Sequence, residues 1–176
     1  MKRLVLFFNI FMMVFASSLF AQDGKFSVGI VTSHYSDYDS DSHFSALDNP
    51  TGMGILVGYR ISEDVSLALT SEFFTGDMEN NTGSEDVIRT SLSGFFFPFN
   101  FNTVNPYLTA GAVLSNSNKD YDNGDSISNS KLMSRLGAGI DVPLVQRLSL
   151  NADLGFYGHN FKYTGWVQSL GLRFAF

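Results

Sequence analysis

Residues Gly165 to Phe176 read G-W-V-Q-S-L-G-L-R-F-A-F, and this stretch decides the fold. Except at Gln168, every second residue is large and apolar: Trp166, Leu170, Leu172, Phe174 and Phe176. The residues between them are mostly small or polar: Gly165, Val167, Ser169, Gly171, Arg173 and Ala175. Because successive side chains of a β-strand point to opposite faces, this pattern predicts a strand with one apolar face and one polar face.

The same alternation recurs along the chain, interrupted by clusters of Gly, Asn, Asp and Pro. It predicts eight strands, at residues 25–34, 51–60, 65–74, 86–97, 107–115, 130–142, 147–157 and 165–176. Most are close to the 9–11 residues that a tilted membrane strand needs. Long polar loops are expected at 35–50, 75–85 and 116–129, with a shorter one at 158–164 and tight connections at 61–64, 98–106 and 143–146.

Alternation alone is also compatible with a soluble β-sandwich or a lipocalin-like barrel, which would bury the apolar face inside. The polar face, however, is rich in glycine and small residues and carries few charges: Glu72, Arg89, Arg135, Asp141, Asp153 and Arg173. A soluble surface carries more Lys and Glu and less Gly. With long and short loops alternating, the pattern favours an all-β, eight-stranded antiparallel up-and-down transmembrane β-barrel whose polar face lines a narrow lumen. An even strand number places both termini on the periplasmic side and the long loops outside.

Aromatic residues cluster at the strand ends, as interfacial girdles require: Tyr59, Phe73, Phe96, Phe156, Trp166, Phe174 and Phe176. From Lys25 to Phe176 the chain resembles the small outer-membrane barrels of the OmpA/OmpX-like type. Its ending resembles the signal that the barrel-assembly machinery reads on its clients, with Ser169, Gly171, Phe174 and Phe176 in the matching places. The resemblance implies a bacterial outer-membrane location, contact with outer-membrane lipid and lipopolysaccharide, and the barrel-assembly machinery as a partner during biogenesis.

The N-terminus predicts a secretory signal peptide. Basic Lys2 and Arg3 precede an apolar run that is shorter than the roughly 18 residues of a spanning helix, and small residues follow it. We expect cleavage after Ala21, with Ser18 as the alternative. Residues 1–21 are then the signal peptide and residues 22–176 the barrel domain.

Charge and composition exclude several classes of function. Without Lys2 and Arg3 the mature chain carries a net charge of −8, with no basic stripe, which argues against a nucleic-acid partner. The chain has no Cys, so it forms neither disulfides nor a thiolate site. No glycine-rich phosphate loop is present, and we expect no cofactor.

The lumen charges are expected to pair. Counting outward from a turn near Leu144 places Arg135 almost opposite Asp153, and Glu72 stands in a similar relation to Arg89. In a narrow barrel of low dielectric, unpaired charges would be costly, so these residues are interpreted as a plug. The alternative is a gated or selective path.

Eleven of the 17 acidic residues fall in the expected outer loops or at their margins. Spaced carboxylates suit Ca²⁺ or Mg²⁺, and Asp37, Asp39 and Asp41 are weak candidate ligands. A second run, at 120–125, is out of frame for an EF-hand. A solvated acidic surface is the preferred interpretation.

The histidines His34, His43 and His159 fall near the outer rim, but no spacing motif marks a nucleophile beside them. The function expected is therefore non-enzymatic: a role in envelope integrity, or adhesion to an unknown extracellular ligand through the acidic loops. A narrow porin-like channel for small solutes or ions is the alternative. A lipid-modifying barrel enzyme is the third.

Overall fold

A computed structural model of the chain describes residues 25–37, 50–77, 83–99, 101, 103–159 and 162–176. The expected signal peptide and its cleavage site lie outside these residues. Eight strands form a closed barrel in chain order, and β1 pairs with β8 to close it. The strands are β1 Phe26–Asp37, β2 Thr51–Arg60, β3 Val65–Asp77, β4 Gly83–Phe96, β5 Asn105–Tyr121, β6 Ser126–Val145, β7 Leu148–His159 and β8 Lys162–Ala175. All neighbouring pairs are antiparallel. The predicted fold class is confirmed.

The two faces of the wall separate as the alternation predicts. Large apolar side chains such as Ile30 (64% exposed) and Leu136 (63% exposed) point outward. Inward positions are buried even where they are polar, as at Ser91 and Arg135. Aromatic pairs mark both ends of the outer wall: Phe26 with Tyr59 near the chain termini, and Phe156 with Tyr163 at the other end. No helix among the described residues is long and apolar enough to cross a membrane.

Several strands are longer than predicted. β5 continues to Tyr121 and β6 begins at Ser126, so most of the expected loop 116–129 is sheet. β4 begins at Gly83, and β7 and β8 together cover most of 158–164. Serine and asparagine in these segments have the composition of loops, but the ladder hydrogen bonds continue through them and determine the structure.

The register of β6 and β7 also differs from the expected one. Arg135 pairs with Tyr157, and Asp153 pairs with Gly139, four residues away along the ladder. The turn lies at Gln146 and Arg147 rather than near Leu144, and the register shifts between Pro143 and Val145.

Candidate functional site: the lumen and the β5–β6 projection

The middle of the lumen holds an ion pair. Arg135 Nη2 lies 2.5 Å from Asp153 Oδ1, although the two residues are not opposite each other in the ladder. The long arginine side chain spans the offset by passing over Gly155, where an added Cβ would lie 2.8 Å from Arg135 Nε. Tyr107 donates a hydrogen bond of 3.3 Å from its hydroxyl to Asp153 Oδ2. The Asp153 carboxylate therefore accepts hydrogen bonds from side chains of β5 and β6, and connects these two strands to β7.

A second layer surrounds Arg89, nearer the end of the barrel away from the termini. Its guanidinium carbon lies 4.0 Å from the ring centroid of Tyr35, 4.7 Å from that of Phe74 and 5.8 Å from that of Tyr157. Glu72 lies directly across the β3–β4 pairing, as predicted. The Arg89 guanidinium also stacks against the rings, a contact that the predicted pairing with Glu72 did not include.

A third layer lies near the chain termini. Arg173 on β8 reaches Asp141 on β6 at 2.8 Å, with both side chains largely buried. All six charges predicted to line the lumen therefore point inward.

Apolar clusters fill the space between these layers. One consists of Tyr35, Val113, Met133, Tyr157 and Val167, and the other of Leu56, Ala68, Phe95, Phe97 and Tyr107. The cavity among the lumen side chains beside Glu72, Arg135 and Asp153 measures ≈ 20 Å³. That volume accommodates about one water molecule. Around this cavity the described lumen is filled with side chains, in the way that a small protein core is packed.

Part of this aromatic packing was not predicted from the sequence. Tyr35 and Phe74 lie on the inner face, and Tyr107 packs against Phe95 at a ring-centroid distance of 5.2 Å. The available signal was their position in the alternation, which places them on the same face as the inward charges. Tyr35 was expected in a loop, whereas β1 continues through it to Asp37 and directs its ring inward.

At the end of the barrel away from the termini, β5 and β6 extend beyond the pairing of β6 with β7, which starts at Ser134 opposite Gly158. Residues 116–121 of β5 remain paired with β4 on their other side. We call residues 116–130 the β5–β6 projection. Residues 126–130 of β6 pair with β5 along one edge. Along their other edge, no strand of the described part of the chain pairs with them. A tight turn closes the hairpin, with Tyr121 donating to the Asp125 carbonyl and Gly124 to that of Tyr121. Gly124 has a φ of 90°, a conformation that glycine adopts at no steric cost.

The acidic residues do not all lie on a solvated surface. Glu85 is fully buried on the inner face of β4, opposite Lys119, so this part of the expected acidic loop was assigned wrongly. Asp86 accepts a hydrogen bond from the Thr75 hydroxyl at 2.8 Å. Asp125 accepts one from the Asn123 amide at 2.8 Å.

The described residues show no cluster of the candidate metal ligands Asp37, Asp39 and Asp41. Asp39 and Asp41 lie outside the described residues, and Asp37 ends β1. No group of three or more potential ligands occurs among the described residues.

The described histidines have structural neighbours. His34 faces outward with Nδ1 3.2 Å from the Thr51 hydroxyl, and His159 Nδ1 lies 2.8 Å from the Leu132 carbonyl oxygen. His43 lies outside the described residues.

The residues of the expected assembly signal occupy both faces of β8. Ser169 accepts a hydrogen bond from Ser33 at 2.9 Å, and Gly171 is buried against Asn151. Phe174 and Phe176 pack edge to face at 5.1 Å. The backbone nitrogen of Phe176 also donates to the Phe26 carbonyl, which ties the last residue to the start of β1.

Comparison with known proteins gives a family and a set of structural neighbours. The model of the family described as "Outer membrane protein beta-barrel domain" matches residues 7–174. Neisserial surface protein A is 20% identical with a TM-score of 0.70, covering 88% of this chain and 98% of its own. The N-terminal barrel domain of Pseudomonas aeruginosa OprF is 22% identical with a TM-score of 0.62, covering 85% and 97%. Ail, the attachment invasion locus protein of Yersinia pestis, is 17% identical with a TM-score of 0.57, covering 86% and 97%. No curated protein matches the chain.

Proposed function

The chain belongs to the outer membrane protein beta-barrel domain family, and on that premise we propose that it is a non-enzymatic, non-conducting barrel that binds partners through the β5–β6 projection. In this proposal the termini face the periplasm and the projection faces outward. The premise places the chain in the bacterial outer membrane.

The observation that carries the proposal is the packed lumen. Three layers of charged side chains and two apolar clusters occupy the described lumen, and the cavity beside Glu72, Arg135 and Asp153 measures ≈ 20 Å³. A solute path requires a continuous wet lumen, so this packing disfavours the channel alternative. Partner binding is then assigned to surfaces outside the lumen, and the projection presents a strand edge that β7 does not cover.

The chemistry of the projection indicates the class of partner. An exposed strand edge can accept an extended segment of another protein, with main-chain hydrogen bonds supplying affinity. Asp120, Asp122 and Asp125 lie at its tip with Lys119, so basic side chains on the partner are favoured. Ail is described in complex with sucrose octasulfate, a heparin analogue. The acidic tip of this chain disfavours such a polyanion.

A peptide-binding experiment tests the proposal. The probes are fluorescent peptides of alternating lysine and valine or of alternating glutamate and valine, added to the folded barrel in detergent. We expect the lysine peptide to bind more tightly. Replacing residues 118–128 by an Asn-Gly turn, so that Ser117 and Asn129 become the last pair, should abolish this binding.

A charge variant separates two contributions to peptide binding, that of the strand edge of the projection and that of the carboxylates at its tip. Asp120→Asn with Asp125→Asn keeps the hairpin and should weaken binding without abolishing it. Equal affinity for both peptides, or undiminished binding by the shortened barrel, would contradict the proposal.

A further inference from the structure

The main-chain hydrogen bonds of β6 show which of its backbone groups point away from β5. The Asp125 carbonyl accepts a hydrogen bond from the backbone nitrogen of Tyr121 at 2.9 Å, so the backbone of Asp125 faces β5. The Leu132 carbonyl oxygen, in contrast, lies 2.8 Å from Nδ1 of His159 on β7. Because the N–H and C=O groups of successive strand residues point to opposite sides, the even-numbered residues of β6 point away from β5. In the projection these residues form what we call the open edge: Ser126, Ser128 and Ser130.

The open edge favours an antiparallel partner strand. In an antiparallel pair, two residues that lie opposite each other exchange both their hydrogen bonds at every second position. Each serine of the open edge can therefore make two main-chain hydrogen bonds with one residue of the partner. A parallel strand is slightly less stable per residue, and all strand pairs of the barrel are antiparallel.

The side chains between the serines differ in charge at the two ends of the open edge. Asp125 lies at the tip, Ile127 and Asn129 follow, and Lys131 lies at the foot. Asp125 is exposed and Lys131 is half-buried. With a partner strand these positions are the non-hydrogen-bonded ones, where facing side chains of an antiparallel pair come closest. Opposite charges that face each other stabilise such a pair and like charges destabilise it.

We propose that the open edge binds an extended segment of a partner protein in one direction, antiparallel to β6, with an acidic residue facing Lys131 and a basic residue facing Asp125. The acidic residue of this segment then comes first, and the basic residue follows six positions later. An amide facing Asn129 and an apolar side chain facing Ile127 complete the match. This inference rests on the proposed function and adds to it the direction of the partner and the spacing of its charges.

A second copy of the chain is the competing occupant of the open edge. Residues 125–131 read D-S-I-S-N-S-K, so this segment also begins with an acidic residue and ends with a basic one. Barrels inserted in the same orientation in one membrane, however, have β6 strands that run in the same sense across it. Their open edges therefore cannot meet in an antiparallel pair, and a segment of another protein is the better occupant.

Two fluorescent peptides of identical composition test the direction. One reads E-S-N-S-V-S-K and the other K-S-N-S-V-S-E, both are capped at their ends, and the barrel is held in lipid nanodiscs. We expect the first peptide to bind about three- to tenfold more tightly, because the second places like charges at both ends of the edge. Asp125→Lys combined with Lys131→Asp should reverse this preference. Asp122→Asn, which removes a charge of the turn outside the open edge, should leave the preference unchanged.

Ser128→Pro tests which backbone groups are open. Its N–H group points away from β5, so the pairing with β5 should survive, whereas affinity for the first peptide should fall by about tenfold or more. Ser128→Ala keeps the N–H group and should bind like the parent protein. Heat-modifiable gel mobility and protease resistance of the projection verify that each variant is folded.

The outcomes separate this inference from the proposed function. Equal affinity for the two isomeric peptides would overturn the inference alone, if the alternating lysine peptide still binds more tightly than the glutamate peptide. Tighter binding of the second isomer would also overturn it, since the bound strand would then be parallel. Peptide binding that weakens as more barrels share a nanodisc would assign the open edge to a second copy and overturn it as well. If no peptide binds, both the inference and the proposed function are wrong.

Discussion

Arg173 on β8 forms an ion pair with Asp141 on β6, although β7 lies between their strands. The nitrogen and oxygen are 2.8 Å apart, and both side chains are largely buried. The contact is available because an eight-stranded barrel is so narrow that side chains meet across its interior. It therefore connects strands that are not hydrogen-bonded neighbours near the end where the chain begins and finishes.

Asp141→Ala should lower the free energy of unfolding by about 3 kcal/mol, because it leaves the Arg173 cation buried without its partner. Urea titration of the barrel in lipid vesicles, followed by gel mobility, measures the change. In the double variant Asp141→Ala with Arg173→Met, the loss should be smaller than the sum of the losses of Asp141→Ala and Arg173→Met alone, since no charge remains unpaired. Additive losses would show that the pair is not energetically coupled.

Tyr35→Leu should destabilise the barrel by about 2 kcal/mol, because the ring that Arg89 stacks on at 4.0 Å is removed from a desolvated site. Tyr35→Phe is the matched control. It keeps the ring and removes the hydroxyl, whose hydrogen bond to the Thr164 carbonyl is long at 3.4 Å, so we expect a change of less than about 1 kcal/mol. The same urea titration distinguishes the two variants, and equal losses would exclude a cation–π contribution.

Gly139→Ala should cost about 1–3 kcal/mol through overpacking. The added Cβ would lie 2.5 Å from Tyr107 Cζ and 2.6 Å from Asp153 Cβ. Gly94→Ala is the control, because its Cβ would meet nothing closer than 3.7 Å. Thermal unfolding monitored by gel mobility should show a lower transition temperature for Gly139→Ala only.

Planar-bilayer recordings should show no steady conductance for the parent barrel. Arg135→Ala should also remain closed, because the clusters around Tyr157 and Phe95 still fill the lumen on either side. Conductance should require loss of several layers together, as in Arg135→Ala combined with Tyr107→Ala and Tyr157→Ala. A steady open level in the parent protein would restore the channel interpretation.

Deletion of Phe176, or Phe176→Asp, should reduce the amount of assembled barrel in the outer membrane, because the proposed assembly signal ends at this residue. Leu172→Val, which keeps an apolar outward residue on the same strand, is the control. Quantifying the heat-modifiable form in outer-membrane fractions measures the effect. A normal amount of folded Phe176→Asp barrel would argue against the signal.

The strand pattern and the inward direction of the charges were predictable because alternation has a period of two and depends only on local sequence. The extent of β5 and β6 was not, since the Ser- and Asn-rich segments on either side of Tyr121 have the composition of loops. The Arg135–Asp153 contact was anticipated from a wrong register. It forms because the arginine side chain is long enough to span four residues of offset.

By itself, the sequence determined that the chain is an eight-stranded barrel with an apolar outer wall, since each strand carries its own two faces. Only the tertiary structure decided which inward groups meet. Closing β8 onto β1 brings residues of non-adjacent strands together, as with Arg89 and the rings of Tyr35 and Tyr157. The same closure places Gln168, the one break in the alternation of β8, beside His34. Such contacts depend on barrel curvature and shear, which are properties of all eight strands together.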